Sequence, residues 1–468
     1  MNQYTINIRN CVFVIMTMVG LSITGCKKFA DVPAPSNQLS SATVFTNKTT
    51  LASALAGMYS TMITTNSDYM QAGLTSFPGM SADEMLYSAS YASYEAFMNN
   101  AIPVSDLELQ LFWSAFYKNN YVANSIIIGT QNSADGAIPD SIKTDAIAES
   151  KFVRAYNHFY LVNFWGEVPI VTTTDPTITN TLYRSSKQDV YLQIINDLKD
   201  AKSGLKGDYS WSSGDRSRPN KYAAIALLAR ASLYTGDWAA AAANADTVIK
   251  ATSLYSLLST TGMTNIFAKN NTEAIWQMAP AQSAGYTTEA VRFIPVTGSV
   301  PSFILDSTRL IKAFETGDKR YINWVGKQVV NSVTYYYPYK YKLKATSTTS
   351  AECITYLRLA EQYLVRAEAN AQLNNLSAAI ADINVIRNRA GLPNTTATTQ
   401  ADILKAIEQE RRVELCFEYG HRWMDLKRNN RADAVLGTKT GWVSTDALYP
   451  VPQADRNNNH NLSQNEGY

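Results

Sequence analysis

The sequence predicts an all-α protein of repeated helix pairs, interrupted by long irregular insertions that hold a few short strands. Three observations carry this reading. Apolar residues recur at helical spacing through most of the chain. A helix-turn-helix pattern around Arg230 returns around Arg366, and two tyrosine-rich stretches, 66–105 and 263–345, break the helical rhythm.

Taken in order, the periodicity predicts helices near 49–63, 106–129, 144–164, 187–203, 219–235, 238–250, 303–315, 356–373, 376–390, 401–419 and 421–428. The segments LLARASLYTGDWAAAAANADTVI and YLVRAEANAQLNNLSAAIADINVIRNR align without shift at Arg230/Arg366, Ala231/Ala367, Ala242/Ala378, Ala243/Ala379, Ala245/Ala381 and Asp246/Asp382. A partial third copy, FVRAYNHFYLVNFWG, surrounds Arg154. Two helices joined by a short polar turn, with alanines where the helices approach closely, resemble a tetratricopeptide unit. In the second insertion, Ser332 to Tyr337 is expected to pair with Tyr339 to Leu343 across a turn at Pro338. Near the C-terminus, Arg411, Glu414, Glu418, Arg422 and Asp425 would share one face if the helix ran on through Gly420, forming a partly buried ion-pair network.

The N-terminus carries one charge, Arg9, then an apolar run from Cys11 to Ile23, then Thr24 and Gly25 before Cys26. That run would span only about 20 Å at 1.5 Å per residue, short of the roughly 20 residues a bilayer span needs. Residues 1–25 are therefore expected to be a cleaved secretory signal, and Ile23-Thr24-Gly25-Cys26 resembles a lipobox whose cysteine takes a lipid. The polar stretch 26–40, with two prolines, reads as a tether.

Only 17% of residues are charged and the net charge is +2, against about 25% charged in ordinary soluble proteins. No basic block stands out, so nucleic acid is not an expected partner. A neutral, polar, aromatic surface suits uncharged polyhydroxylated ligands. Cys353 and Cys416 remain in the body; Cys416 reads as a buried free thiol, with a bridge between the two as the alternative. His158, His421 and His460 are not at metal-ligand spacing, and no cofactor or metal is expected.

No nucleophile elbow, zinc-protease, P-loop or dinucleotide-binding motif occurs. The adjacent carboxylates Asp83 and Glu84 diverge on either a helix or a strand, so they cannot flank one bond by themselves. A capping role for Ser81 or Asp83 is the expectation there. Trp113, Trp165 and Trp238 read as inter-helix packing, and Trp276 as an inward strand residue. Tyr69, Tyr87, Tyr91, Tyr94, Tyr286 and Trp324 fall in the irregular stretches, where an exposed ring can lie flat on a sugar's C–H face.

Four segments carry a family resemblance: Cys26-Lys27-Lys28-Phe29-Ala30-Asp31-Val32-Pro33, KFVRAYNHFYLVNFWGEVPIV at 151–171, EQERRVELCFEYGHRWMDLKR at 408–428, and YPVPQADRNNNHNLSQNEGY at 449–468. Over essentially its whole length the chain resembles the SusD/RagB family of surface nutrient-binding lipoproteins. The resemblance implies an all-α, SusD-like fold of four tetratricopeptide-like helix pairs, occupying 41–468 with an N-terminal part at 41–215 and a C-terminal part at 216–468. It implies a non-catalytic protein, lipid-anchored through Cys26 in the outer membrane and facing the cell surface, that captures oligosaccharide for a TonB-dependent, SusC-like outer-membrane transporter. Oligopeptide binding, as in the RagB branch, and a tetratricopeptide scaffold without a small ligand are the alternatives. The family places its site on the irregular face, and there Asp68, Tyr87, Tyr91, Tyr286 and Trp324 are the expected ligand-binding residues.

Overall fold

Apolar residues at helical spacing need a partner surface, and in this chain each long helix finds it in a neighbour close in sequence. The computed structural model describes residues 41–63, 68–279, 285–347 and 351–468; the expected signal, Cys26 and its tether lie outside the described residues. The chain forms α1 (Lys48–Ile63), α2 (Ala72–Ser81), β1 (Met85–Tyr87), α3 (Ala92–Asn99), the long α4 (Leu107–Gln131) and α5 (Asp140–Trp165), then α6 (Lys187–Gly204), α7 (Lys221–Thr235) and α8 (Trp238–Ile249). The second insertion holds β2 (Ala274–Met278), α9 (Thr288–Phe293), β3 (Phe303–Leu305), α10 (Lys319–Trp324), β4 (Val325–Val330), β5 (Val333–Pro338) and β6 (Ile354–Arg358). Beyond it run α11 (Leu359–Gln372), α12 (Leu376–Arg389), α13 (Gln400–Glu414) and α14 (His421–Arg428).

Four helix pairs form the scaffold: α1 with α4, α5 with α6, α7 with α8, and α11 with α12, with α8 stacked on α11. Side chains of Asp106, Ser186, Asn220, Asp237 and Thr399 cap the helices that follow them, each cap stabilising its helix by about 1 kcal/mol. The repeat alanines allow close approach, since Ala229, Ala241, Ala245 and Ala369 share one buried cluster with Leu233 and Val365. The aligned charges are partnered as well. Arg366 binds Asp382 at 2.7 and 2.9 Å and reaches Asp246, the equivalent aspartate one repeat earlier, at 2.6 Å. Arg154 makes the matching fork to Asp197. Arg230, fully buried, turns instead to both oxygens of Glu361 at 2.6 Å.

Three local expectations are corrected. Residues 303–315 are not a helix: Phe303–Leu305 pairs antiparallel with Met85–Tyr87. The Asp306 carboxylate then accepts from the backbone of Thr308 and Arg309 and turns the chain. The hairpin pairs β4 with β5 rather than turning at Pro338. Its turn is Asn331–Ser332, both left-handed at φ 50° and 65°, the backbone that a two-residue hairpin loop requires. The helix expected over 401–419 stops at Glu414, because Phe417, Tyr419 and Gly420 adopt φ of 41°, 44° and 74°. The five charges therefore do not line one face.

They are buried all the same, with partners drawn from across the fold. Glu414 receives Arg320, Arg358 and Arg389. Glu273 takes Arg358 and Arg389, Glu410 takes Arg320 and Arg387, Glu418 takes Arg358 and Lys340, and Asp318 takes Arg320. Four arginines and a lysine thus face four glutamates and an aspartate, and Arg387 also reaches the more exposed Glu315 at 2.7 Å. Asp83 is also an ion-pair partner, of Arg412 and Arg422 at 2.7 Å, rather than a helix cap. Cys353 and Cys416 are buried and free.

Burial alone would raise the Glu414 carboxyl, but Arg389, Arg358 and Arg320 hold it well below the ordinary value. Its contribution to stability is therefore full above the unfolded glutamate value of about 4.5 and is lost as pH falls through the lower folded value. Glu414→Ala leaves those guanidiniums without their shared carboxylate and is expected to lower the unfolding free energy by about 3–5 kcal/mol in urea denaturation at pH 7. Glu84 behaves in the opposite sense. Burial, then the neighbouring Asp83, push its carboxyl up to about 8, so the folded state holds a proton that the unfolded state has released. Stability is lost as pH rises from about 4.5 to 8. Glu84→Gln keeps an acceptor for the Phe417 amide and is expected to flatten that loss in melting curves taken across this range.

Candidate functional site

The two insertions meet through the β1–β3 ladder, which sets Tyr87 opposite Phe303. Around this pair lies a cluster of tyrosines and charged groups. Tyr94, on α3, stands edge-on to Tyr87 at 4.8 Å and to Tyr91 at 4.7 Å, and 5.5 Å from the Phe303 ring. Tyr69 stacks on Phe77 of α2 at 6.1 Å. Tyr91 is 41% exposed, whereas Tyr69, Tyr87 and Tyr94 are half-buried.

One carboxylate organises the rings. Glu108, in the first turn of α4, accepts from the Tyr69 hydroxyl at 2.9 Å on one oxygen and from the Tyr91 hydroxyl at 2.8 Å on the other. Opposite, Arg292 of α9 donates to Asp68 at 2.6 Å and to the Ser76 hydroxyl at 3.0 Å, with its guanidinium 5.7 Å over the Phe303 ring. Burial raises the Asp68 carboxyl, and Arg292 partly offsets it. Beneath them Glu289, buried, accepts from Thr75 and is pushed up to about 8 by burial and then by Asp68. Two exposed-side carboxylates, Asp68 and Glu108, thus accompany one guanidinium that Asp68 already occupies. The arrangement offers ring faces, phenolic hydroxyls and hydrogen-bonding groups held in place, and its guanidinium, Arg292, is paired with Asp68.

Of the expected residues, Asp68, Tyr87 and Tyr91 are brought together here. Tyr286 is half-buried, one residue ahead of Thr287, whose hydroxyl caps α9; Thr288 donates to Gln71, close to Asp68 in sequence. Trp324 is corrected. It is 1% exposed, its indole N–H points to the Met263 carbonyl, and the Lys340 ammonium lies 4.3 Å over its ring. The ring is a wall of the ion cluster and cannot present a face to solvent. Sequence reasoning missed Glu108 and Arg292. Glu108 follows a capping aspartate and reads as an ordinary acidic first turn, and Arg292 has no local pattern around it.

Comparisons with known proteins place the chain in a family. The SusD family model matches residues 326–468, and a model described as "Starch-binding associating with outer membrane" matches residues 28–233. SusD-like protein P2 of Formosa agariphila is 28% identical over 420 residues, covering 76% of this chain and 80% of its own. A solved SusD superfamily protein from Bacteroides vulgatus superposes with a TM-score of 0.78 at 19% identity, over 91% of this chain and all of its own. A laminarin binding SusD-like protein gives a TM-score of 0.77 at 24% identity, over 91% of this chain and 100% of its own. The chain belongs to the SusD/RagB family and has its mostly helical fold.

Because Trp324 is core, Trp324→Ala is expected to act on the fold, lowering the unfolding free energy by about 3–5 kcal/mol in chemical denaturation.

Proposed function

We propose that the protein captures uncharged oligosaccharides on the tyrosine cluster, without cleaving them, and passes them to a TonB-dependent outer-membrane transporter while lipid on Cys26 holds it at the cell surface. The observation that carries the reading is Tyr91. Its ring stands partly in solvent while Glu108 fixes its hydroxyl and Tyr94 fixes its edge, so the platform is set before a ligand arrives and little rotamer freedom is lost on binding. A pyranose offers a weakly polar C–H face to such a ring and hydroxyls to the neighbouring carboxylates. The charge balance favours a neutral sugar. An acidic glycan would bring a carboxylate beside Asp68 and Glu108, where Arg292 is already paired. The laminarin-binding neighbour and the starch-binding, outer-membrane description of one matching model support the same ligand class. The lipobox-like Ile23-Thr24-Gly25-Cys26 supports the anchor, and family membership supports the transporter.

A glycan array on the full chain, run beside a peptide library, tests this. Binding to uncharged oligosaccharides recovered intact is expected. Peptide binding with no glycan bound would replace the proposal with the peptide reading. Tyr91→Ala, at an exposed position, is expected to weaken the bound glycan by about tenfold, roughly 1.4 kcal/mol, with melting temperature unchanged.

A further inference from the structure

A cavity of about 590 Å³ opens between the C-terminal ends of α5 and α14, the start of α6, and the chain's last residues. Its size is that of a small-molecule site, and it shares no lining residue with the tyrosine cluster. Two lysines, Lys187 and Lys427, line it. The Lys427 ammonium rests over the Trp423 ring at 4.9 Å and the Phe164 ring at 5.8 Å and donates to the Asn163 carbonyl. An ammonium has three donors, and this carbonyl is the one acceptor it meets among the described residues.

Among the described residues, neither lysine has an ion-pair partner. Among the described residues the paired lysines are Lys151, Lys250, Lys269, Lys340 and Lys405. The adjacent Arg428 shows the contrast, since it holds Glu368 and Asp425. Burial, and then the charge of Lys187, push the Lys427 amine well below its ordinary value. Two ammoniums on the wall of one cavity repel each other, and an anion between them relieves that repulsion. Asp433 and Glu466 also line the cavity. Asp433 accepts from the Trp442 indole at 2.9 Å.

We propose that this cavity binds a small oxyanion group, a carboxylate or phosphate, between Lys187 and Lys427, with Asn430, Ser444 and Thr445 available to the polar body that carries it. The proposal stands apart from the glycan reading and survives its failure.

Isothermal titration of the full chain with inorganic phosphate and, separately, with acetate tests it. Saturable one-site binding of at least one probe is expected. Lys187→Gln, at an exposed position, is expected to weaken binding by about tenfold, a loss of roughly 1.4 kcal/mol. Lys405→Gln, at a lysine paired with Asp402 outside the cavity, and Tyr91→Ala are expected to leave it unchanged. Absence of saturable binding by both probes would overturn the proposal. So would an equal loss in Lys187→Gln and Lys405→Gln, which would mean general attraction of anions to a basic surface.

Discussion

Three separate elements of the C-terminal half are tied together at the carboxylate of Glu414. Three guanidiniums converge on it, Arg320 from α10, Arg358 from β6 and Arg389 from α12. One of those elements belongs to an insertion, one to a strand leading into a repeat, and one to a repeat itself. An ionised carboxylate is tolerable in a buried setting only when its lone pairs are filled by donors, so none of the three can shift without leaving a charge uncovered. Such clusters add little net stability over a well-packed apolar core but fix one register. Here the register is that of insertion on scaffold.

The break in the helix after Glu414 is part of this constraint. Had the helix continued, Glu418 would have pointed along the same face as Glu414 and away from Lys340. The left-handed residues at Phe417 and Tyr419 instead let Glu418 meet both Lys340 and Arg358. The same segment carries the Phe417 amide to Glu84, next to β1. Strand β1 pairs with β3, and between them they assemble the tyrosine cluster from residues as far apart as Tyr69 and Phe303. The position of the tyrosine cluster is thus tied, through Glu84 and β1, to buried charges away from it.

How legible this was varies with the range of the interaction. The helices of the repeats were readable because their apolar spacing, caps and alanines lie within a few residues of one another. Residues 303–315 have helical spacing too, yet pairing with β1 and the Asp306 turn prevailed, as tertiary context often does over local preference. Tyr91 and Trp324 looked alike as aromatic residues in irregular chain. One is a partly exposed platform and the other lies under a lysine, and the difference rests on Glu108 and Lys340, neither of which is close in sequence to the ring it governs.

The helix pairs, the tyrosine-rich insertions, the low charge and the motifs that place the chain in its family are each written in residue type and short spacing. Which rings face solvent, which carboxylates pair with which arginines, and that Lys187 and Lys427 share a cavity came only with the packed fold. Those depend on contacts such as Asp83 with Arg412, 329 residues apart. Periodicity reports which face of a helix is apolar; it carries no record of what distant charge will be buried against it.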